Sequence, residues 1–227
     1  MNLTRCGKNT SIIIKFIRFN SDKLLTILLT RKNIKLSSVM YDLLDESYGY
    51  IKILQFQLKT YSEVLYAINM IEKYINNNLF GFVTDLRNNL GDILDSSIKI
   101  SNLFLNSDFF LENNLIIYTK GNNLNTQIEK KADGIDILNE IPIIILVDSC
   151  SVSAAEALAS SLKDHKRATI LGKTIFSKGF VQIIFTLTNI GGALKLTTSF
   201  FYTSFGHLIQ FFLVLYLIFL FHIFFLI

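Results

Sequence analysis

Cysteine is scarce in this chain: Cys6 and Cys150 are the only two in 227 residues. They form neither a CxxC pair nor a disulfide framework. Three histidines, far apart and without an HExxH arrangement, give no basis for a metal site, and no metal or organic cofactor is expected. Clustered positive charge is missing as well. The 22 basic and 18 acidic residues leave a net charge of +4 that is spread along the chain. With no aromatic-and-basic binding motif beside it, that spread argues against a nucleic-acid surface. The N-terminal MNLTRCGKNT lacks the apolar stretch of a signal peptide. Cys150 reads as a small buried residue rather than a reactive thiol.

Apolar residues are abundant. They make up 51% of the chain, enough for a large core, and the length suits one full domain and part of a second. The last 20 residues, Leu208–Ile227 (LIQFFLVLYLIFLFHIFFLI), are interrupted only by Gln210, Tyr216 and His222. As a helix this run is long enough to span a bilayer, which would attach the chain to a membrane. The other reading is an aberrant tail from read-through or a shifted frame, and both stay open.

Short-range patterning points to strands alternating with helices. Ser11–Arg18 and Leu24–Thr30 read as strands joined by a turn, and TRKNIKLSSV continues extended. Gly49–Gln55 is a further strand. Thr60 opens a helix with a Thr-Tyr-Ser-Glu capping box, in which Glu63 is expected to reach back to the Thr60 amide. Leu65, Ile68, Ile71 and Ile75 then make an apolar stripe at helical spacing. Gly81–Leu86 is a short strand, Ile93–Leu105 is helical and Leu115–Thr119 is a strand. Asn122–Glu140 is polar, with loop and a short helix expected. Ile141–Val147 is an apolar run of the kind found in buried parallel strands. Ala154–Lys163 is a helix and Ala168–Leu171 a strand, and Val181–Leu187 with Ala193–Phe201 is a closing antiparallel pair turning near Gly191 and Gly192. Such alternation implies an α/β core.

The run SVSAAEALASSLKDHKRA, Ser151–Ala168, raises the question of a nucleophile. A serine–histidine pair fails on geometry. Ser153 precedes the first turn of the helix and His165 follows its last, roughly 18 Å apart at 1.5 Å per residue. His165 fits instead as a helix-end residue interacting with the dipole. Ser151, Ser160 and Ser161 read as turn or packing residues. A base for Ser153 must come from elsewhere, and Lys178 stands among Ile175, Phe176, Phe180 and Val181. Apolar burial disfavours an ammonium, which is what a lysine general base requires.

Five blocks now carry a resemblance: GYIKILQF, FVTDLRNNLGD, IPIIILVDSCSVSAAEALASSLKDHKRATILG, SKGFVQ and ALKLTTSFFYTSFGHLIQ. In order and spacing the chain resembles the carboxy-terminal processing (tail-specific) serine peptidases over about residues 1–210. The resemblance implies an α/β fold of the crotonase and caseinolytic-protease type, preceded by part of a PDZ domain. Residues 1–36 would be the later part of the PDZ, 37–207 the catalytic core and 208–227 the apolar tail. It implies Ser153 as nucleophile, Lys178, 25 residues later, as base, and Gln182, four residues beyond, to orient it. The oxyanion would sit on the backbone N–H groups of Ala154, at the helix start, and Gly91, whose lack of a side chain allows close approach. Asp164 and Arg167 also match and would form a structural pair at the helix end.

Three positions depart from the family's pattern: Leu90 stands for Pro, Asp92 for Gly, and Ser177 for Gly. The implied function is an ATP-independent serine endopeptidase that cuts protein or peptide substrates near accessible C-termini. Family members act outside the cytoplasmic membrane, so a periplasmic or membrane-associated place is implied. The alternative is a truncated, inactive relic of such a peptidase that still binds peptide. An acyl-CoA enzyme on the same broad fold has no use for the serine–lysine–glutamine spacing.

Overall fold

The computed structural model of the chain describes residues 7–32, 37–75, 78–106, 114–121, 127–173, 175, 179–187 and 191–209. Two compact units divide it, Met1–Leu36 and Ser37–Ile227. In the first, β1 (Ser11–Ile17) and β2 (Leu24–Thr30) pair antiparallel, with Ser11 opposite Thr30 and Ile17 opposite Leu24. Ile12 and Phe16 are half-buried while Ile14 is exposed.

The second unit runs β3 (Val39–Leu44), β4 (Tyr48–Ile53), α1 (Thr60–Tyr74), β5 (Gly81–Asp85), α2 (Leu94–Leu103), β6 (Leu115–Gly121), β7 (Glu129–Lys131), β8 (Ile143–Val147), α3 (Ala154–Asp164), β9 (Ala168–Gly172), β10 (Phe180–Leu187) and β11 (Gly192–Thr203). Five strands form a sheet in the order β3-β4-β5-β8-β9, with β3 antiparallel to β4 and the rest parallel. Parallel neighbours need long crossovers, and α1 and α3 supply two of them. A second, antiparallel sheet has the order β10-β11-β6-β7. This is the α/β class that the alternation implied.

Burial follows the periodicities. Along β4, Gly49, Ile51 and Ile53 are buried while Tyr50 and Lys52 are half-buried, the two-residue period of a strand. Helix α1 buries Val64, Ala67, Ile68 and Ile71, with Leu65 and Ile75 partly covered. Phe56, Phe82 and Phe104 have almost no exposed surface and join the same core. Each contributes roughly 1.5–3 kcal/mol by burial. Strand β8 is parallel on both sides, yet only Ile143, Ile145 and Val147 are buried, and Ile144 is exposed on its other face.

Two local expectations are corrected, and a third falls outside the described residues. The segment before Glu140 holds a strand, β7, that extends the second sheet, and no helix occurs there among the described residues. Its three residues, Glu-Lys-Lys, carry no apolar alternation to mark a strand. Glu63 does not reach back to the Thr60 amide, which donates instead to Gln57 O at 3.1 Å. Its carboxylate accepts Ser38 N–H at 2.7 Å and Ser38 Oγ–H at 2.6 Å, and pairs with Lys59 at 2.9 Å. The cap thus became a tie between α1 and the start of β3. The apolar tail from residue 210 onward lies outside the described residues, and among the described ones no helix is long and apolar enough to cross a membrane.

The Glu63 tie has a pH signature. Burial pushes its carboxyl up, but the hydrogen bonds from Ser38 and Lys59 outweigh that and hold it at about 2. A depressed carboxylate stabilises the fold above its unfolded value, about 4.3, and that stability is lost as pH falls toward 2. Glu63→Gln should therefore lose about 1.5–3 kcal/mol at pH 7 and lose less than the parent between those two pH values. Urea unfolding across that range measures both effects.

Candidate active site

The site is built at the carboxyl ends of β4, β5 and β8, the edge of an open parallel sheet where loops converge. After Val147 the chain turns through Asp148–Val152 and enters α3. Ser151 locks the turn: its Oγ donates to Leu86 O at 2.8 Å and accepts Asp148 N–H at 2.9 Å. The Asp148 carboxylate accepts Cys150 N–H and Asn88 N–H, each at 3.0 Å. Cys150 is exposed beside this turn, not buried as its residue type suggested. The turn spends its contacts on Asp148 and Ser151 and leaves Cys150 on the outside.

Ser153 is the N-cap of α3, with φ 58° and ψ −109°. L-residues rarely adopt this conformation, and holding it costs about 1–3 kcal/mol. Glu156, fully buried, accepts Ser153 N–H at 2.7 Å, and the two complete a capping box. Helix α3 is buried at every position from Ala154 to Leu162, so its start cannot relax outward. Ala154 N–H, as the first amide of the helix, has no carbonyl four residues back within it. His165 closes the far end, its ring Nε2–H donating to Leu115 O at 2.8 Å. Ser153 and His165 are therefore separated by the whole helix.

The facing loop follows β5. Asp85, without exposed side-chain surface, accepts Arg87 Nε–H and Nη2–H at 2.9 and 2.7 Å and the Tyr50 hydroxyl at 2.8 Å. Burial pushes the Asp85 carboxyl up, but the Arg87 and Tyr50 donors outweigh it and hold it below its ordinary value. Four residues beyond Asp85, buried Asn89 joins three segments. Its Nδ2–H donates to Ile53 O at 2.7 Å, its Oδ1 accepts Gly91 N–H at 2.8 Å, and its backbone O accepts Val152 N–H at 2.9 Å.

Gly91 thus differs from its expected role. Its N–H, expected to face an oxyanion, is committed to Asn89 within its own loop. What the glycine supplies here is space. A Cβ added at Gly91 would stand 2.9 Å from both Ala154 N and Ser153 Cβ and 2.5 Å from Val152 O, and its φ is +86°.

Ser153, Gly91 and Gln182 line one cavity of about 600 Å³. Gln55, Asp92, Leu94, Phe180 and Ile184 are also on its wall. Gln182 is exposed on β10, just after a register shift, and its Nε2–H reaches Thr197 Oγ1 at a long 3.4 Å. Lys178 and Ser177 lie outside the described residues. Asp164 and Arg167 do not pair. Arg167 Nε–H donates to Asp136 at 2.7 Å and Nη1–H to Ile141 O at 2.8 Å. Asp164 instead accepts Ser204 Oγ–H and Phe205 N–H at 3.2 and 3.3 Å. Each residue faces a different strand end, which their spacing could not show.

Asn89, Asp148, Asp85 and Glu156 were not singled out from the sequence. For Glu156 a signal exists: Ser153-Ala-Ala-Glu156 is a capping-box pattern ahead of an apolar run. For Asn89 none does, because the partners that tie it to other segments, Ile53 and Val152, are 36 and 63 residues away.

Comparison with known proteins bears on this geometry. The model of peptidase family S41 matches residues 47–212. A carboxy-terminal-processing protease of Bartonella bacilliformis is 40% identical over 202 residues, which is 88% of this chain and 45% of that protein. A carboxyl-terminal-processing protease of Synechocystis sp. is 34% identical over 192 residues, 83% of this chain and 42% of that one. The chain thus spans less than half the length of these two curated relatives. Among solved structures, a photosystem II D1 C-terminal processing protease superposes with a TM-score of 0.66 at 22% identity, over 89% of this chain and 53% of the other. That likeness concerns the fold.

The space at Gly91 can be tested directly. Gly91→Ala should destabilise by about 1–2 kcal/mol from its φ alone, and by more because Val152 O and the head of α3 must move. Asn89→Ala should destabilise by at least the ~1–3 kcal/mol of leaving buried groups unpaired. Urea unfolding of the two variants checks both.

Proposed function

The chain belongs to peptidase family S41, and from that premise we propose that it is an ATP-independent serine endopeptidase cutting near protein C-termini through a Ser153–Lys178 dyad. One observation carries the reading: Ser153 is held in a strained turn at the head of a buried helix, facing a cavity it shares with Gly91 and Gln182. A strained serine between a strand and a helix presents its Oγ to a substrate, the device used by many serine hydrolases.

In this reading neutral Lys178 takes the Ser153 proton as Oγ bonds to the scissile carbonyl carbon. Negative charge gathers on the carbonyl oxygen, near Ala154 N–H and the positive end of α3. The proton then passes from Lys178 to the leaving amine as the C–N bond breaks. Water repeats the sequence on the acyl-enzyme, with Lys178 again as base. Gln182 orients the lysine amine without adding charge, exchanging its long contact to Thr197 for that role. We propose, from the same family pattern, that this work is done outside the cytoplasmic membrane.

A second reading, peptide capture without cleavage, is favoured by the Gly91 amide. While it donates to Asn89, only Ala154 of the two expected donors serves the oxyanion. Losing one such donor costs about 100- to 1,000-fold in kcat. Cleavage at full rate then requires the Gly91 peptide to exchange its acceptor when substrate arrives.

Incubating the full chain with labelled peptides and following new termini by mass spectrometry decides between the readings. Cleavage should rise with pH, because the base must be neutral, and should be unaffected by EDTA. Ser153→Ala and Lys178→Ala should each remove it. Cleavage that survives either variant overturns the dyad, and peptide binding without any cleavage supports the second reading.

A further inference from the structure

The hairpin of β10 and β11 turns one of its faces to the Ser153 cavity. In an antiparallel pair, directly opposed residues share a face, and faces alternate along each strand. Gln182 is opposite Thr197 and Ile184 is opposite Lys195, so these four residues share a face. Gln182, Ile184 and Lys195 all line the cavity that holds Ser153. The register that presents Gln182 to the site therefore presents Lys195 as well.

The rest of the wall makes this lysine stand out. Leu90, Leu94, Phe180, Val181, Ile184 and Phe201 are apolar. Two ionisable side chains, Asp92 and Lys195, are on it. Asp92 is engaged, its carboxylate accepting Gln55 Nε2–H at 3.2 Å. Lys195 is exposed, and no acidic side chain among the described residues forms an ion pair with it. A bound peptide would cover the apolar wall and exclude water there, which strengthens attraction between that ammonium and an opposite charge.

We propose that Lys195 is a specificity residue of this cleft, pairing with a carboxylate of the bound peptide. The proposal rests on the peptidase reading and adds a chemical class of substrate to it: chains that carry a carboxylate within reach of Lys195 when their scissile bond is at Ser153. That carboxylate is either an Asp or Glu side chain or the α-carboxylate of a chain end. Apolar contacts with Leu94, Phe180 and Phe201 supply grip with little discrimination, whereas a single cation distinguishes a charged peptide from its neutral isostere. For a partly exposed pair the advantage should be roughly 3- to 30-fold in Kd.

Binding to the full-length Ser153→Ala chain tests this without turnover. Four fluorescent peptides share one apolar sequence: a free C-terminal acid, its amide, the amide with an internal Glu, and the same with Gln. Fluorescence anisotropy should show at least one carboxylate form binding tighter than its neutral counterpart. Adding Lys195→Gln should abolish that advantage and leave the neutral peptides unchanged, while Lys195→Arg should keep it. The free acid arm and the Glu arm identify which carboxylate is used. Equal affinities throughout, an advantage that survives Lys195→Gln, or no binding of any peptide would overturn the proposal. Cleavage by the parent chain without a carboxylate preference would sink this proposal alone. A Lys195-dependent preference with no cleavage by the parent would sink the peptidase reading alone.

Discussion

Asn89 is the joint on which the site depends. Fully buried between strand ends, it satisfies Ile53 O with its amide nitrogen, Gly91 N–H with its amide oxygen and Val152 N–H with its backbone. A buried amide group tolerates little rearrangement, since breaking any of these bonds leaves a desolvated donor or acceptor unpaired. The carboxyl end of β4, the loop after β5 and the turn before α3 are therefore held to one geometry. The Asp85–Arg87–Tyr50 group fixes the base of the same loop, and Asp148 and Ser151 fix the turn opposite.

Within that frame the backbone of Ser153 can be held where it would not otherwise stay. Its positive φ is maintained by Glu156 at its amide and by a helix buried along nearly its whole length. Strain at one residue is affordable when the surrounding packing is large, and α3 is packed on small residues, Ala and Ser, that bring it close to its neighbours. The resulting arrangement places a hydroxyl, an open helix start and the close backbone approach that a glycine permits around one point. Asn89, by accepting the Gly91 N–H, also keeps that loop in place.

The remaining wall comes from the other sheet. Strands β10 and β11 carry Gln182 and Lys195 on one face, and the register shift between Val181 and Gln182 sets which residues those are. Because side chains alternate with period two, a slip of one residue would turn both away from the cavity. The wall of the Ser153 cavity is thus linked to the pairing of a hairpin far in sequence from the turn that carries Ser153.

Much of the secondary structure was legible in the sequence, because helix and strand periods are local properties. The run from Ala154 marks a helix, and its length alone separates Ser153 from His165. The alternation of strands and helices gives the α/β class. What tertiary structure decided are the partners. Arg167 bonds Asp136, 31 residues away, rather than its near neighbour Asp164, and Glu63 bonds Ser38, 25 residues back, rather than its own helix start. Cys150 faces outward because Asp148 and Ser151 take the inner side of the turn. Lys195 shares a cavity with Ser153 because two sheets meet there. Spacing along a chain specifies neighbours within about one helical turn or across one strand pleat. Which carboxylate meets which cation across tens of residues is set by strand order, register and burial, and those exist only once the chain has folded.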